Sequence, residues 1–361
     1  MDMSALGRLV RERGPFASVY LDASHDTEDA AKALELRWRG LREELERQGA
    51  DGDTLAAMDR AALEPVVGKG GRALIAAHGT LLLDRVLPRP PAADTARWSR
   101  LPNLLPLAGL LGPELPYAVV VVDRAGADLH GYDGHTEVDT EVRGDPHPLH
   151  KVRGGGWSHL RMQHKVEETA HHNAKLVAEA VDRLVSTINA RLLVLGGEVQ
   201  ARSAVREELG TRCRDVLIEV DSGSLADGAD DESFDAKVRS LVAQYQADLD
   251  NDVVEEFTAE SGRDQGRAVQ GLERVVEALR EANVATLLVA DRALARRTVW
   301  TADDPAQVAT READLRALGL DDVAELPADE ALAGAATATG AQVLVTDDTK
   351  LWEGVGALLR H

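Results

Sequence analysis

Six apolar residues, Val166, Ala170, Val177, Val181, Leu184 and Ile188, recur at steps of three, four or seven. That spacing places them on one face of a long helix. Arg161, His164, Lys165, His171, His172 and Lys175 fall mostly on its other faces, open to solvent or to a partner. Three glycines, Gly154-Gly155-Gly156, come just before, followed by Trp157 and Ser158. Glycines ahead of a helix start permit a tight or extended loop with positive φ. Ser158 suits the N-cap, because its hydroxyl can accept from an orphan amide of the first turn. Amides at such a start can also meet an anion.

Charge gives this stretch a direction. Six of the eleven histidines lie between His147 and His172, and residues 151–200 hold seven Lys/Arg against five Asp/Glu. The whole chain carries a formal charge of −21. A locally basic, glycine-tipped loop within so acidic a chain points to contact with something negative. The net charge excludes a protein that coats nucleic acid along a broad surface, since such affinity rests on many phosphate neutralisations. Local contact through one or two basic patches remains open.

At 361 residues the chain is long enough for two or three domains, each with its own core. A single cysteine, Cys213, excludes an intrachain disulfide framework and a cysteine-rich zinc site. Standing next to an apolar run, it reads as a half-buried core residue. The N-terminal MDMSALGRLVRERG lacks the apolar core of a signal peptide, and no apolar run is long enough to span a bilayer. A soluble, cytoplasmic protein with no membrane partner is expected.

The chain reads in order as a short helix over residues 1–14, a strand at Ala17–Asp22 and a charged amphipathic helix at Ala30–Arg47. Another helix follows at Asp53–Leu63, then a hairpin from Arg72–His78 and Leu81–Leu87 turning at Gly79-Thr80. Gly68-Lys69-Gly70-Gly71 lacks the spacing of a phosphate loop and reads as a turn. The proline-bearing Pro88–Pro113 reads as a connection between domains. Beyond it lie strands at Ala118–Asp123 and Ala127–Tyr132, the glycine loop and long helix, and a strand at Arg191–Leu195. A helix at Ala201–Leu209 and a strand at Val216–Val220 complete an α/β alternation.

Asp221–Asp235 is acidic but lacks the fixed ligand positions of a calcium loop, and reads as solvated. A helix at Lys237–Phe257 and a hinge at Thr258–Gly266 lead to the last part. There a helix at Val269–Asn283, a strand at Ala285–Ala290, further helical patterns, a strand at Gln342–Thr346 and a closing helix at Leu351–Leu359 are expected. The last sixty-one residues hold four Lys/Arg against twelve Asp/Glu, a poor surface for RNA.

This order of parts resembles the class-1 release factors of archaea and eukaryotes, specifically their bacterial relatives. Tyr117–Gly134 followed by KVRGGGWSHLRMQ is similar to the strand pair and GGQ loop of the family's middle domain. GRAVQGLERVVEALREANVATLLVAD, from Gly266 to Asp291, is similar to the opening of its C-terminal domain. GPFASVYLD (Gly14–Asp22) and RALIAAHG (Arg72–Gly79) match the first domain more loosely. The resemblance implies an α/β protein of three domains, each a mixed sheet with packed helices. These are a decoding-domain-like 1–112, a middle domain 113–262 with a degenerate GGQ-like loop, and a kink-turn-binding-protein-like 263–361.

Two departures bear on function. Aligning GGWSHLRM on the family's GGQSALRF puts Trp157 where the water-positioning glutamine belongs. An indole has one donor and no acceptor, so it cannot position water in that way, and Gln163 lies six residues downstream. Where the family's NIKS stop-codon reader should stand, the chain has Ala23-Ser24-His25-Asp26-Thr27-Glu28-Asp29, whose acids would be repelled by a codon. Within the bacterial branch this resembles the Balon-type hibernation factors, which occupy the ribosomal A site without terminating synthesis.

That resemblance implies contact of Lys151, Arg153, His159, Arg161 and Lys165 with RNA phosphate, and close backbone approach at Gly154, Gly155 and Gly156. It implies stacking of Trp157 on a base or ribose, with Ser158 beside it. No catalytic residue, cofactor or metal is implied. The implied partners are the ribosome, through rRNA and P-site tRNA, and an elongation-factor-like GTPase.

Three other readings stand beside this one. A peptidyl-tRNA hydrolase or tRNA nuclease of ribosome rescue would draw a general base from His150, His159 or His164. A metal site would use the pairs His147/His150 and His159/His164, but HExxH spacing and an evident third ligand are absent. An interaction module unrelated to ribosomes would use the acidic C-terminal part as a protein dock.

Overall fold

A computed structural model describes residues 6–27, 29–111, 115–134, 136–143, 157–221, 231–290, 293–294, 296–346 and 351–361. Side chains are described for all of these except 111, 157–168 and 231–232. The fold is α/β throughout, as expected. The chain forms two compact units, one of residues 1–113 together with 252–361, the other of 114–251.

The first unit opens with β1 (Phe16–Asp22), whose residues are buried up to the last. Helices α1 (Ala30–Gln48) and α2 (Gly52–Ala62) follow. Gly49, at φ 97°, ends α1, and Asp51 caps α2 by accepting from the Thr54 amide at 2.9 Å. β2 (Gly71–Ala77) and β3 (Thr80–Leu87) form the expected hairpin. Its turn lies one residue earlier than expected, at His78-Gly79, both at positive φ (50° and 73°). A two-residue hairpin loop of this hand requires that conformation at both positions.

Two expectations are corrected here. Residues 1–14 hold, among those described, turns and a short 3-10 helix at Leu9–Arg11 in place of an α-helix. The segment Pro88–Pro113 is more than a connection. It contains β4 (Thr95–Ser99), paired antiparallel with β1, and α3 (Leu105–Leu111). No proline falls within β4, so its ladder hydrogen bonds survive, and Pro106 lies in the first turn of α3, where the missing amide has no intrahelical acceptor to lose. The sheet order is β3-β2-β1-β4.

In the second unit β5 (Tyr117–Val122), β6 (Gly126–Tyr132) and β7 (Glu137–Arg143) form an antiparallel meander. The long helix α4 (Trp157–Thr187) leads to β8 (Leu192–Gly197), which lies parallel to β5. Next come α5 (Val199–Glu208), α6 (Thr211–Asp215), β9 (Leu217–Glu219) and α7 (Asp231–Ser261). The order is β9-β8-β5-β6-β7. One face packs Ala118, Val120, Leu129, Leu193 and Leu195 against α4 and α5. The other packs Val119, Leu192 and Val194 against Phe234 and Val238 of α7.

After α7, which runs on to Ser261 through the first part of the expected hinge, the chain returns to the first unit. It adds β10 (Ala268–Gln270), α8 (Leu272–Arg280) and β11 (Val284–Ala290). A small sheet follows from β12 (Thr298–Thr301), β13 (Val308–Ala309) and β14 (Ala324–Pro327), with α9 (Glu312–Ala317) inserted. α10 (Ala328–Thr339), β15 (Gln342–Thr346) and β16 (Val355–Leu359) close the chain. The main sheet here is ordered β10-β16-β11-β15.

Val269, expected in a helix, lies in β10, because Gly271 at φ 86° separates strand from helix. The expected closing helix at Leu351–Leu359 is instead a 3-10 turn at Trp352–Gly354 and then β16. Val355-Gly356-Ala357-Leu358 is buried and sits between β10 and β11. A short apolar run of this kind carries no period that separates buried strand from buried helix.

β1 shows why the first unit is one body. Ala17, Val19 and Leu21 pack with Leu34, Trp38, Leu45 and Met58 of α1 and α2. Phe16 and Tyr20 join a core shared with Val275, Leu279, Leu332 and Ala335 of the C-terminal segment. With both faces covered, the strand has no solvated side.

Candidate nucleic-acid interface

The glycine loop joins the edge strand β7 to α4. Lys151, Arg153, Gly154, Gly155 and Gly156 lie outside the described residues, as do His147 and His150. Trp157, Ser158, His159, Arg161 and Lys165 fall in α4, which starts at Trp157, one residue ahead of the expected cap Ser158. Their side chains are likewise outside the described set. The structure describes the base from which this loop and helix depart.

α4 is fixed along the sheet by the expected seam. Val177, Val181, Leu184 and Ile188 are buried, and Ala170 is half-buried. His171, His172 and Lys175 are exposed, as expected. Gly131 of β6 lets the helix approach closely: a Cβ there would lie 2.8 Å from Leu184 Cδ1. Thirty-one helical residues span about 46 Å.

The forward anchor of α4 is Asn173, 2% exposed, whose Nδ2 donates to the Arg124 carbonyl at 3.0 Å. Arg124 belongs to the β5–β6 turn. Asp123 Oδ1 shapes that turn by accepting from the Ala125 and Gly126 amides at 2.7 and 2.8 Å. The Arg124 guanidinium donates from Nε to Glu198 Oε1 and from Nη2 to Gln200 Oε1, both at 2.9 Å. The Glu198 amide donates to the Val122 carbonyl at 2.9 Å, and Gly197, at φ 113°, lies against the same carbonyl.

The carboxyl ends of the parallel strands β5 and β8 therefore meet α4 and the start of α5 at one corner. A shallow cleft opens there between Asp123, Arg124, Ala170, Ala174, Gln200 and Ala201. Crevices at the carboxyl ends of parallel strands are the usual ligand positions of such sheets. This corner sets the direction of α4 ahead of Asn173. Sixteen residues of helix separate Asn173 from Trp157, an axial reach of about 24 Å.

Sequence reasoning did not find this corner. Arg124 and Glu198 are 74 residues apart and carry no local motif. Of the acidic segment in the codon-reader position, Asp26 and Asp29 are exposed, and Glu28 lies outside the described residues. Cys213 is 1% exposed, deeper than expected, and burial together with the nearby Asp182 carboxylate pushes its thiol up to about 12. Among the described residues no group of three His, Cys, Asp or Glu is placed to hold a metal ion. None of the described helices is long and apolar enough to cross a membrane.

Comparison with known proteins gives this scaffold its relatives. The family model of bacterial archaeo-eukaryotic release factor family 2 matches residues 116–263, the stretch that holds the corner, α4 and α7. The uncharacterized proteins MT2704 and Rv2629, from two strains of Mycobacterium tuberculosis, are each 38% identical to this chain over 362 residues. The alignment covers 98% of this chain and 95% of each relative. Among solved structures, the chain is similar to an archaeal translation termination factor, aRF1, at 17% identity and a TM-score of 0.28. That match covers 100% of this chain and 99% of the other. It is also similar to Pelota of Archaeoglobus fulgidus, at 13% identity and a TM-score of 0.34, covering 99% of this chain and 92% of that one. The sequence relationships decide the matter, and this chain belongs to the bacterial archaeo-eukaryotic release factor family.

Proposed function

We propose that this protein binds the ribosome as a hibernation factor, occupying the A site of idle or stressed ribosomes without decoding stop codons or hydrolysing peptidyl-tRNA. The observation that carries the reading is Trp157 in the position of the family's catalytic glutamine, on a scaffold of that family. The glutamine's acceptor is gone, whereas an indole retains a stacking surface for a base or ribose. The acids Asp26 and Asp29 in the codon-reader position support loss of decoding.

In this reading α4 carries the glycine loop toward the acceptor end of tRNA. Lys151, Arg153, His159, Arg161 and Lys165 meet phosphate, Gly154–Gly156 admit the backbone close to RNA, and Trp157 stacks beside Ser158. The protein acts in the cytoplasm and is delivered by an elongation-factor-like GTPase. The three-domain division at residues 112 and 262 belongs to the same proposal.

Co-sedimentation with 70S ribosomes across a salt series tests it. Wild type is expected to pellet with vacant ribosomes and to be released as salt rises. Trp157→Ala should weaken binding, and Arg153→Glu/Arg161→Glu should weaken it further and flatten the salt dependence. A wild-type protein that stays in the supernatant at low salt would overturn the proposal. So would release of peptide from peptidyl-tRNA by purified protein, the outcome required of a hydrolase.

A further inference from the structure

The face of the middle sheet opposite α4 is only partly covered. α7 covers Val119 and packs along Tyr117 and Val121, all on β5. Residues paired directly across an antiparallel ladder share a face. The pairs Val119–His130–Asp139, Val121–Asp128–Glu141 and Tyr117–Tyr132–Glu137 therefore carry this face outward over β6 and β7. There it is open. Asp128 and every residue of β7 except Val142 are exposed, while His130 and Tyr132 are half-buried.

Two kinds of group line this open part. Asp128, Glu137, Asp139 and Glu141 supply carboxylates. Arg143 partly offsets them by pairing with Glu141 and lying 3.9 Å from Asp128. Between them stands a ring cluster, with Tyr117 centred 5.6 Å from Tyr132 and 6.3 Å from His130. Asp139 fixes the His130 ring through Nδ1 at 2.7 Å. The Tyr117 hydroxyl is raised above its ordinary pKa by burial and then by the Glu137 carboxylate.

A third feature is backbone. β7 pairs with β6 alone among the described strands, so its outer edge offers unpaired amides and carbonyls. Exposed edges are commonly blunted with charge, lysine above all. Here the charge is carboxylate, which repels another acidic strand and attracts a basic one.

We propose that the β6–β7 face and edge dock an extended, arginine-rich protein segment, added alongside β7 as a further strand. Glu137, Asp139 and Glu141 alternate along β7, so they recur on this face about every 6.8 Å, the spacing of alternate side chains in an added strand. Arginines at alternate positions meet those carboxylates in bidentate fashion. A guanidinium also stacks on the Tyr132 and His130 rings, which an ammonium does less well. Carboxylates alone would attract any cation; the edge and the rings select an extended arginine-bearing chain. The proposal does not depend on ribosome binding.

Fluorescence anisotropy of the full-length protein with a fluorescein-labelled peptide of sequence RTRVRTR, beside its lysine counterpart KTKVKTK, is the test. Wild type should bind the arginine peptide saturably at low salt and at least threefold tighter than the lysine peptide. Asp128→Asn/Asp139→Asn/Glu141→Gln should weaken binding at least tenfold. Tyr132→Leu should narrow the preference for arginine. Asp252→Asn/Glu255→Gln/Asp264→Asn removes the same charge elsewhere and should stay within twofold of wild type. All six neutralised positions are exposed, and circular dichroism would verify folding. Absence of saturable binding by wild type, or equal loss in the two triple variants, overturns the proposal. Self-association of wild type that the first triple variant abolishes would also overturn it, by assigning the face to a second copy.

Discussion

Arg97 and Glu330 stand 233 residues apart in the chain and meet through Nη1 and Oε1 at 2.8 Å. The pair joins β4 to the first turn of α10, and Asp329 holds the same guanidinium through Nη2 at 3.1 Å. Glu330 is 1% exposed, and its second oxygen, Oε2, has no hydrogen-bond partner among the described residues. Burial opposes the charge on Arg97, but Asp329 and Glu330 outweigh it and raise its pKa. Removing one partner of a buried pair leaves the other charge desolvated, which costs more than the pair contributes.

Arg97→Ala should therefore destabilise the first unit by about 2–3 kcal/mol, somewhat below the ~3–5 of a fully buried pair because the arginine retains solvent contact. The double variant Arg97→Met/Glu330→Leu should recover most of that loss. Urea unfolding midpoints followed by circular dichroism would measure both, and a double variant weaker than Arg97→Ala would refute the account.

Glu353 gives a pH-dependent counterpart. Its Oε2 accepts from the Leu272 amide at the start of α8 at 2.8 Å, and its Oε1 accepts from Arg297 Nη1 at 2.7 Å. The Leu272 amide, then Arg297, lowers its pKa below the ordinary 4.5. A carboxylate depressed on folding contributes stability that is complete above the unfolded value and is lost as pH falls through the folded value. Glu353→Gln should cost about 1–2 kcal/mol at pH 7. The gap to wild type should hold down to about pH 5 and close below pH 4.5. A gap independent of pH would place the contribution in packing instead.

Two glycines separate conformation from space. Gly49 and Gly197 both have positive φ, at 97° and 113°. A Cβ at Gly49 meets nothing within 4 Å, whereas at Gly197 it would fall 2.0 Å from the Val122 carbonyl oxygen. Gly49→Ala should cost about 1 kcal/mol, the left-handed penalty alone. Gly197→Ala must also displace the end of β5 and should cost at least ~3 kcal/mol. Equal costs would mean that β5 and β8 separate readily at their carboxyl ends.

Cys213 should be inert in the folded protein. With its thiol buried and pushed up to about 12, almost no thiolate exists at pH 8. Ellman's reagent is expected to modify none of the native protein over an hour and one equivalent after unfolding in urea. Rapid native reaction would show that the α6 region opens locally.

Short-range pattern carried much of the fold. The α4 seam from Val177 to Ile188, the hairpin around Gly79 and the strands Tyr117–Val122 and Gly126–Tyr132 were all legible, because each rests on a period or a turn within a few residues. The family relationship was legible as well, through the order of elements around the glycine loop. Trp157 at the loop's end is a fact of sequence that needs no coordinates.

Other features depend on partners far away in the chain. β7 is the exception: its alternation of charged residues with valine and threonine is a period-2 strand pattern only a few residues past its partner β6, and it went unread. Val355–Leu359 became a strand because β10 and β11 flank it, although its composition suits a helix equally. The Asp123–Arg124–Asn173–Glu198 corner is assembled from three separate places along the chain.

The sequence by itself determined the local periods, the hairpin turn at Gly79 and the replacement of the family's catalytic glutamine, since these are written in neighbouring residues. Tertiary structure decided which faces are covered. Only the folded chain puts α1 and α2 on one side of β1 and the C-terminal segment on the other, burying Tyr20 so that its hydroxyl must donate to the Asn103 carbonyl at 2.5 Å. Burial is a relation between distant segments, and no local pattern specifies it.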